Sequence, residues 1–355
     1  MSDLVIVDGP AILAAGERVG IDRDVLSAVR AMLERIAGDA DLARATAELA
    51  QRLAHDAPGE AIASLRALAM HDRLGADAAR TYHLALALAQ VPAAEARHAA
   101  RGIDPAITRA TMSDLAVWAR HFRKQIGARG ITLEILDWSQ RYLRGELLRI
   151  GSLQLEPMPF AAPVRVLRDR ATRALRAISL EHQGRAIDLA TGEVSGARAS
   201  EPASSEEVAL EPGVMVLDMH VPADSFLSLR RIGRSLHDGM ALFARLSPDR
   251  TPAGVAGEAW ILDPQVRALL PRNAGLHALQ QACSLYPSKL PEQKTIRRLF
   301  GPDVERAALA ALPREGMTSL QLAVLDLLAS PGASLRARGG FLLREELERM
   351  EVYRP

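Results

Sequence analysis

The chain has 355 residues, 48% of them hydrophobic and 25% charged. That length at an ordinary globular composition predicts two folding units, each with its own core, and excludes a disordered tail, a collagen-like repeat and a coiled-coil rod. Lysine plus arginine number 44 against 43 acidic residues, for a net charge of +1, so the arginine-rich composition is no nucleic-acid footprint and no nucleic-acid partner is expected.

The opening MSDLVIVDGP has aspartates and no basic flank before its short apolar run, so it does not read as a secretory leader. The longest apolar stretch, around LALALAQVPAA, falls far short of the roughly 20 residues that span a bilayer. A cytoplasmic protein with no membrane partner is expected. From Asp22 to about Leu148, apolar residues recur every three or four positions, as in VLSAVRAMLERI and LARATAELAQRLA. This is the period of amphipathic helices, and it predicts an irregular helical bundle over residues 1–148, with Asp41, Gly75 and Pro105 at caps and turns.

Near Gly151 the pattern changes, because GSLQLEP alternates Leu153 and Leu155 with Gln154 and Glu156, the period of a half-buried strand. VRVLRDRATRALRAISL reads as a short arginine-studded helix, and TGEVSGARASEPASSEE as a loop or hairpin tip. VMVLDMHV is a buried strand. SLRRIGRSLHDGMALFARL places Ile232, Leu236, Met240 and Phe243 on one helical face, with Ser228 available as N-cap. GEAWIL reads as a strand, QVRALL as a helix and LHALQQACSLYP as a strand. The helices EQKTIRRLF and SLQLAVLDLLAS and a final GGFLL follow. Residues 149–355 are therefore expected to be α/β, and the whole chain α+β.

A single cysteine, Cys283, excludes an internal disulfide, a redox CxxC pair and a two-cysteine zinc site. The chain has no Gly-Lys pair, no Gly-x-Gly, no HExxH and no GxSxG, so the usual phosphate, dinucleotide, zinc-protease and serine-hydrolase signatures are absent and no metal is expected.

Four separated stretches carry a family pattern: RYLRGELLRIGSLQLEP, DMHVP, GEAWILDPQVRALLP and SLYP, in that order. The matching positions are Trp138, Arg141, Tyr142, Arg144 and Gly145; Gly151, Leu153, Gln154 and Glu156; His220 and Pro222; and Trp260, Leu262, Asp263 and Pro264. From about residue 130 onward the chain resembles the acyltransferase-domain family that joins an N-terminal helical domain to a GNAT-like C-terminal domain. Gly257, Glu258 and Ala259 stand where that family usually shows Cys-His-Ser. The resemblance implies a mixed sheet splayed between two central strands and flanked by helices. It also implies a donor that is either a coenzyme A thioester or a phosphopantetheine-bound acyl group, with an acyl carrier protein as a possible partner and a small-molecule acceptor.

For the donor pyrophosphate, Ser228, Arg230 and Arg231 are candidates at the helix that follows VMVLDMHV, on helix-terminus electrostatics rather than on the hexapeptide Arg230–Ser235. His220, at a strand's carboxyl end, is a candidate base, with a hydrogen bond to the neighbouring loop as the alternative. Glu258 is the other candidate base, since alternation with Trp260 along GEAWIL would put both on one face and let the indole desolvate the carboxylate. Tyr286 is the candidate acid for the departing thiolate, or else a core residue. Trp138, Arg141 and Tyr142 are expected to dock the helical domain on the sheet, Asp263-Pro264 to start a helix and Cys283 to be a small buried hydrophobe. Direct attack on the thioester is the expected chemistry. The rival expectation is a non-catalytic GNAT-like module that binds a ligand or partner.

Overall fold

The computed structural model describes residues 8–55, 60–67, 70–271 and 275–349, so the opening MSDLVIV lies outside the described residues. Two compact units emerge, the first running to Ile150 and taking in Pro222–Asp224, the second formed by Gly151–Val221 and the chain from Ser225.

The first unit holds α1 (Gly9–Val19), α2 (Arg23–Ala37), α3 (Ala40–His55), α4 (Glu60–Ala67), α5 (Met70–Leu74), α6 (Ala76–Ala100), α7 (Pro105–Met112), α8 (Asp114–Ile126) and α9 (Leu133–Leu143). No strand occurs among the described residues before β1 (Leu148–Ile150). The helical period does what it predicts: Val25, Val29, Met32 and Ile36 form one buried face of α2. Helix starts follow capping chemistry. Asp104 caps α7, where Pro105 takes the first turn, and the cap of α3 is Asp39, whose Oδ1 accepts from Asp41 N and Leu42 N, rather than the expected Asp41. Tyr142, expected as a docking residue, is fully buried in this unit's own core, and Trp138 packs against the same core with the Arg141 guanidinium 4.7 Å from its ring centroid.

The second unit contains two sheets. One has the strand order β2-β8-β9-β11-β10, from β2 (Leu153–Pro159), β8 (Met215–His220), β9 (Gly254–Ala259), β10 (Ser284–Pro287) and β11 (Arg338–Leu343). The other has the order β6-β5-β4-β3-β7, from β3 (Val164–Asp169), β4 (Leu175–Ser179), β5 (Arg185–Asp188), β6 (Glu193–Arg198) and β7 (Glu206–Leu210). The second sheet corrects two expectations. VRVLRDRATRALRAISL is not a helix but the hairpin β3–β4, and TGEVSGARASEPASSEE supplies β6 and the start of β7 rather than only a loop. The turn is built by Asp169, whose Oδ1 accepts from Ala171 N and Thr172 N, with Arg173 at a left-handed φ of 62°.

Helices complete the unit: α10 (Leu229–Leu246), α11 (Pro264–Leu269), α12 (Gly275–Ala282), α13 (Glu292–Phe300), α14 (Ser319–Leu328) and α15 (Arg344–Arg349). LHALQQACSLYP therefore divides into α12 and β10 instead of forming one strand. A core of Phe160, Val166, Ile187, Val216, Tyr286 and Phe341, among others, joins the two sheets face to face. β2 is buried on both faces from Leu153 to Glu156, not half-buried as its alternation predicts.

Candidate active site

The first sheet is antiparallel except at its centre. β8 and β9 run parallel, joined by the α10 crossover, and they pair through Leu217–Val255 and Asp218–Ala256. Beside that stretch, Gly257 lies so close to β8 that a Cβ would come 2.7 Å from the Met219 carbonyl oxygen. Parallel neighbours present their carboxyl ends on the same edge, the edge at which open α/β sheets bind ligands. Here that edge carries His220 on β8 and Glu258 on β9.

Register brings the candidates onto one face. Gln154 pairs with His220 and Glu156 with Asp218 across β2–β8, Asp218 pairs with Ala256 across β8–β9, and Glu258 and Tyr286 both pair with Gly339 on β11. Residues paired directly, or two apart on a strand, share a face. Gln154, Glu156, Asp218, His220, Glu258 and Tyr286 therefore cluster on the face turned toward the second sheet. Burying polar groups costs free energy unless they are paired, and here the polar groups grade from buried Gln154 and Glu156 through partly buried Asp218 and His220 to exposed Glu258.

His220 Nε2 lies 2.9 Å from Asp218 Oδ2, both side chains being 24% exposed. Glu258 is exposed and accepts a hydrogen bond from Ser288 Oγ at 2.7 Å. Its expected alternation with Trp260 does not occur, since β9 ends at Ala259 and Trp260–Leu262 is a 3₁₀ turn. The indole instead packs against the helical cluster of Val266, Ile296 and Val324. Asp263 starts α11 as expected, accepting from Gln265 N at 2.9 Å.

Tyr286 is 2% exposed, its ring T-shaped to Phe160 at 5.5 Å and stacked on Phe341 at 6.4 Å. The ring lies over Gly339, where any Cβ would run into it. Burial, and after it the charges of Glu258 and Asp218, hold the phenol well above its ordinary range, so it stays neutral. Burial likewise pushes the Cys283 thiol up to about 12, which excludes a resting thiolate there.

At the start of α10, Ser228 Oγ accepts from Arg231 N at 3.3 Å, capping an 18-residue helix. Arg230, Arg231 and Arg234 are exposed, and the Arg231 guanidinium sits 5.2 Å from the ring centroid of Phe226, itself 71% exposed. Gly233 and Ser235 of the arginine-glycine hexapeptide face inward, and Ser235 Oγ accepts from Ser152 N at 2.9 Å. That serine is committed to packing, and the exposed arginines stand at the first turns of the helix.

Sequence reasoning missed Asp218 and Gly339. Asp218 had a visible signal, two residues before His220 in DMH, whereas Gly339 acquires its role through register with Tyr286 and shows nothing locally. Among the described residues no group of three His, Cys, Asp or Glu side chains is arranged to hold a metal ion, and no helix is long and apolar enough to cross a membrane.

Residues 147–342 match the GNAT-like C-terminal domain, and residues 13–145 match the N-acyltransferase N-terminal domain. Among solved structures, an acyltransferase in complex with decanoyl-CoA and teicoplanin matches with a TM-score of 0.63 at 22% identity, over 92% of this chain and 86% of that one. An acyltransferase in complex with decanoyl-CoA matches with a TM-score of 0.58 at 20% identity, over 92% and 85%. A third, in complex with CoA and 10C-teicoplanin, matches with a TM-score of 0.53 at 21% identity, over 93% and 98%. Curated protein sequences give no match.

Proposed function

From the premise that the chain belongs to the family joining an N-acyltransferase N-terminal domain to a GNAT-like C-terminal domain, we propose that it transfers an acyl group from a coenzyme A thioester to an amine or hydroxyl of a small molecule. The helical domain is residues 1–148 and the transferase domain residues 149–355. The observation that carries the reading is His220 at the carboxyl end of the parallel pair, beside Asp218 and on one sheet face with Glu258 and Tyr286. The solved acyltransferases that hold decanoyl-CoA support acyl-CoA over a carrier-bound phosphopantetheine as donor.

In the proposed reaction the thioester lies along the edge between β8 and β9. Its pyrophosphate meets the N-terminus of α10 with Ser228, Arg230 and Arg231, where backbone N–H groups and the helix dipole favour negative charge. The acceptor nitrogen or oxygen attacks the thioester carbon directly, so fixed orientation rather than a covalent enzyme intermediate lowers the barrier. His220 takes the acceptor's proton, with Glu258 as the second candidate. Tyr286, held neutral, offers its hydroxyl to the departing sulfur. Backbone amides at the strand edge hold the carbonyl oxygen as charge develops on it.

The test is release of free CoA thiol from acetyl-, octanoyl- and decanoyl-CoA, with a panel of amine- and hydroxyl-bearing acceptors that includes teicoplanin. Acceptor-dependent release is expected, falling about 10²–10⁴-fold in His220→Asn and less in Glu258→Gln. Equal loss in both variants would make the base a shared function. No release from any donor, with a protein partner bound to the helical half, would replace this reading with a non-catalytic binding module.

A further inference from the structure

Gln154 stands on β2 directly opposite His220, the last residue of β8, and so at the edge where the parallel pair presents its carboxyl ends. Its side chain is 3% exposed, yet Nε2 is buried without a hydrogen-bond partner among the described residues. A buried amide nitrogen left unpaired costs stability, and its retention calls for a reason. Packing supplies none, since Leu153 and Leu155 beside it are buried hydrophobes and a methionine of similar volume would avoid the cost. The groups that share its face show what the amide can serve. Glu156, Asp218 and Glu258 accept hydrogen bonds when ionised and repel further negative charge. After burial, the charges of Glu258 and Asp218 raise the Tyr286 phenol, so both carboxylates bear on the middle of the face. An oxygen that gains negative charge there needs an N–H donor. Of the six clustered residues, only His220, read as the base, and Gln154 carry a side-chain N–H.

We propose that Gln154 is a further catalytic residue: its Nε2 donates to the thioester carbonyl oxygen of the acyl donor and strengthens that bond as the oxygen becomes an oxyanion. The inference rests on the reading of the site as a thioester-dependent acyltransferase. In the step it serves, the acceptor's nitrogen or oxygen bonds to the thioester carbon, and the carbonyl π pair moves onto the oxygen held by Gln154. That pair then returns, and the carbon–sulfur bond breaks with its electrons left on sulfur. The acceptor's proton, taken up by the base, ends on the same sulfur, and no other reactant is consumed.

Infrared difference spectra of the full chain with decanoyl-CoA, labelled ¹³C at the thioester carbonyl, read the contact without turnover. A donated hydrogen bond weakens the C=O bond, so the bound band is expected at lower frequency in the unmodified protein than in Gln154→Met or Gln154→Leu. Both variants should unfold in urea at the same midpoint as the unmodified protein or a higher one, because no internal hydrogen bond of Nε2 is lost. In the thiol-release assay kcat is expected to fall about 10²–10³-fold in both, with a much smaller change in KM for decanoyl-CoA, the pattern of a contact realised mainly in the transition state. A merely structural glutamine would lower the midpoint in both variants and leave the band in place. Either result, a lowered midpoint in both or an equal band position in the folded variants, overturns the proposal on its own ground. An unmodified protein that shows no bound band overturns it through the acyltransferase reading instead, so the two failures are distinct.

Discussion

Replacing Gly339 by alanine tests whether the aromatic layer at the site is as tightly made as its contacts imply. A Cβ at this position would run into the Tyr286 ring, and that ring cannot retreat without disturbing Phe160 and Phe341, which pack on it at 5.5 and 6.4 Å. Overpacking of this kind costs about 1–3 kcal/mol, while a strand glycine replaced by alanine gains about 0.5–1 kcal/mol from backbone entropy. Gly196, on exposed β6 with nothing within 4 Å of where a Cβ would stand, is the matched control, because Gly196→Ala keeps the entropic gain and lacks the clash. The contrast between the two substitutions isolates the clash, about 1–3 kcal/mol, which for a unit of this size is about 2–12 °C in melting temperature. Urea unfolding of both variants, read as midpoint and slope, measures it. Adding Tyr286→Leu to Gly339→Ala should recover at least about 1 kcal/mol of non-additive stability. If Gly339→Ala is as stable as Gly196→Ala, the packing argument for Tyr286 fails.

Two further outcomes follow from buried groups. Burial first, and then the positive charges of Arg101 and Arg97, lower His98 to about 4 from an ordinary 6.5. The folded chain keeps it neutral while the unfolded chain protonates it near 6.5. Its contribution, about 3 kcal/mol at most, is therefore complete above pH 6.5 and lost as pH falls toward 4. His98→Gln should flatten the fall of the urea midpoint between pH 7 and pH 4, and an equal slope in both proteins would show that another group carries the acid sensitivity. Cys283, with its thiol near 12, should resist a disulfide reagent at pH 8 in the folded protein and react once unfolded, and rapid native labelling would contradict its burial.

The helical half was readable because its apolar residues keep a 3.6-residue period and a single covered face, as Val25, Val29, Met32 and Ile36 show. The second sheet was not, for two physical reasons. Arginines are good helix formers, so the run around Arg165, Arg168 and Arg176 resembled a solvated helix, yet they pair across strands with Glu211, Glu207 and Glu206. The turn between β3 and β4 depends on one aspartate and one left-handed arginine rather than on glycine or proline. Asp169 with a threonine three residues on, Thr172, and with Val164 and Val166 two apart, was the available signal. At the site, His220 was visible as the end of an apolar strand, though β8 proves fully buried only at Val216 and Leu217, whereas the convergence of Gln154, Glu258 and Tyr286 on its face is a product of register between strands far apart in sequence.

Calorimetric titration of decanoyl-CoA tests the proposed donor site at the start of α10. The protein is compared with a variant carrying Arg230→Glu and Arg231→Glu, at one fixed salt concentration. Both side chains are exposed, so the double variant should keep its far-ultraviolet spectrum and melting temperature. Two lost charge-assisted contacts, at about 1.5 kcal/mol or more each, correspond to at least about 10²-fold in affinity. One bound decanoyl-CoA per chain is expected, with that loss in the variant. Absence of binding by the unmodified protein, or equal affinity in the folded variant, would contradict it.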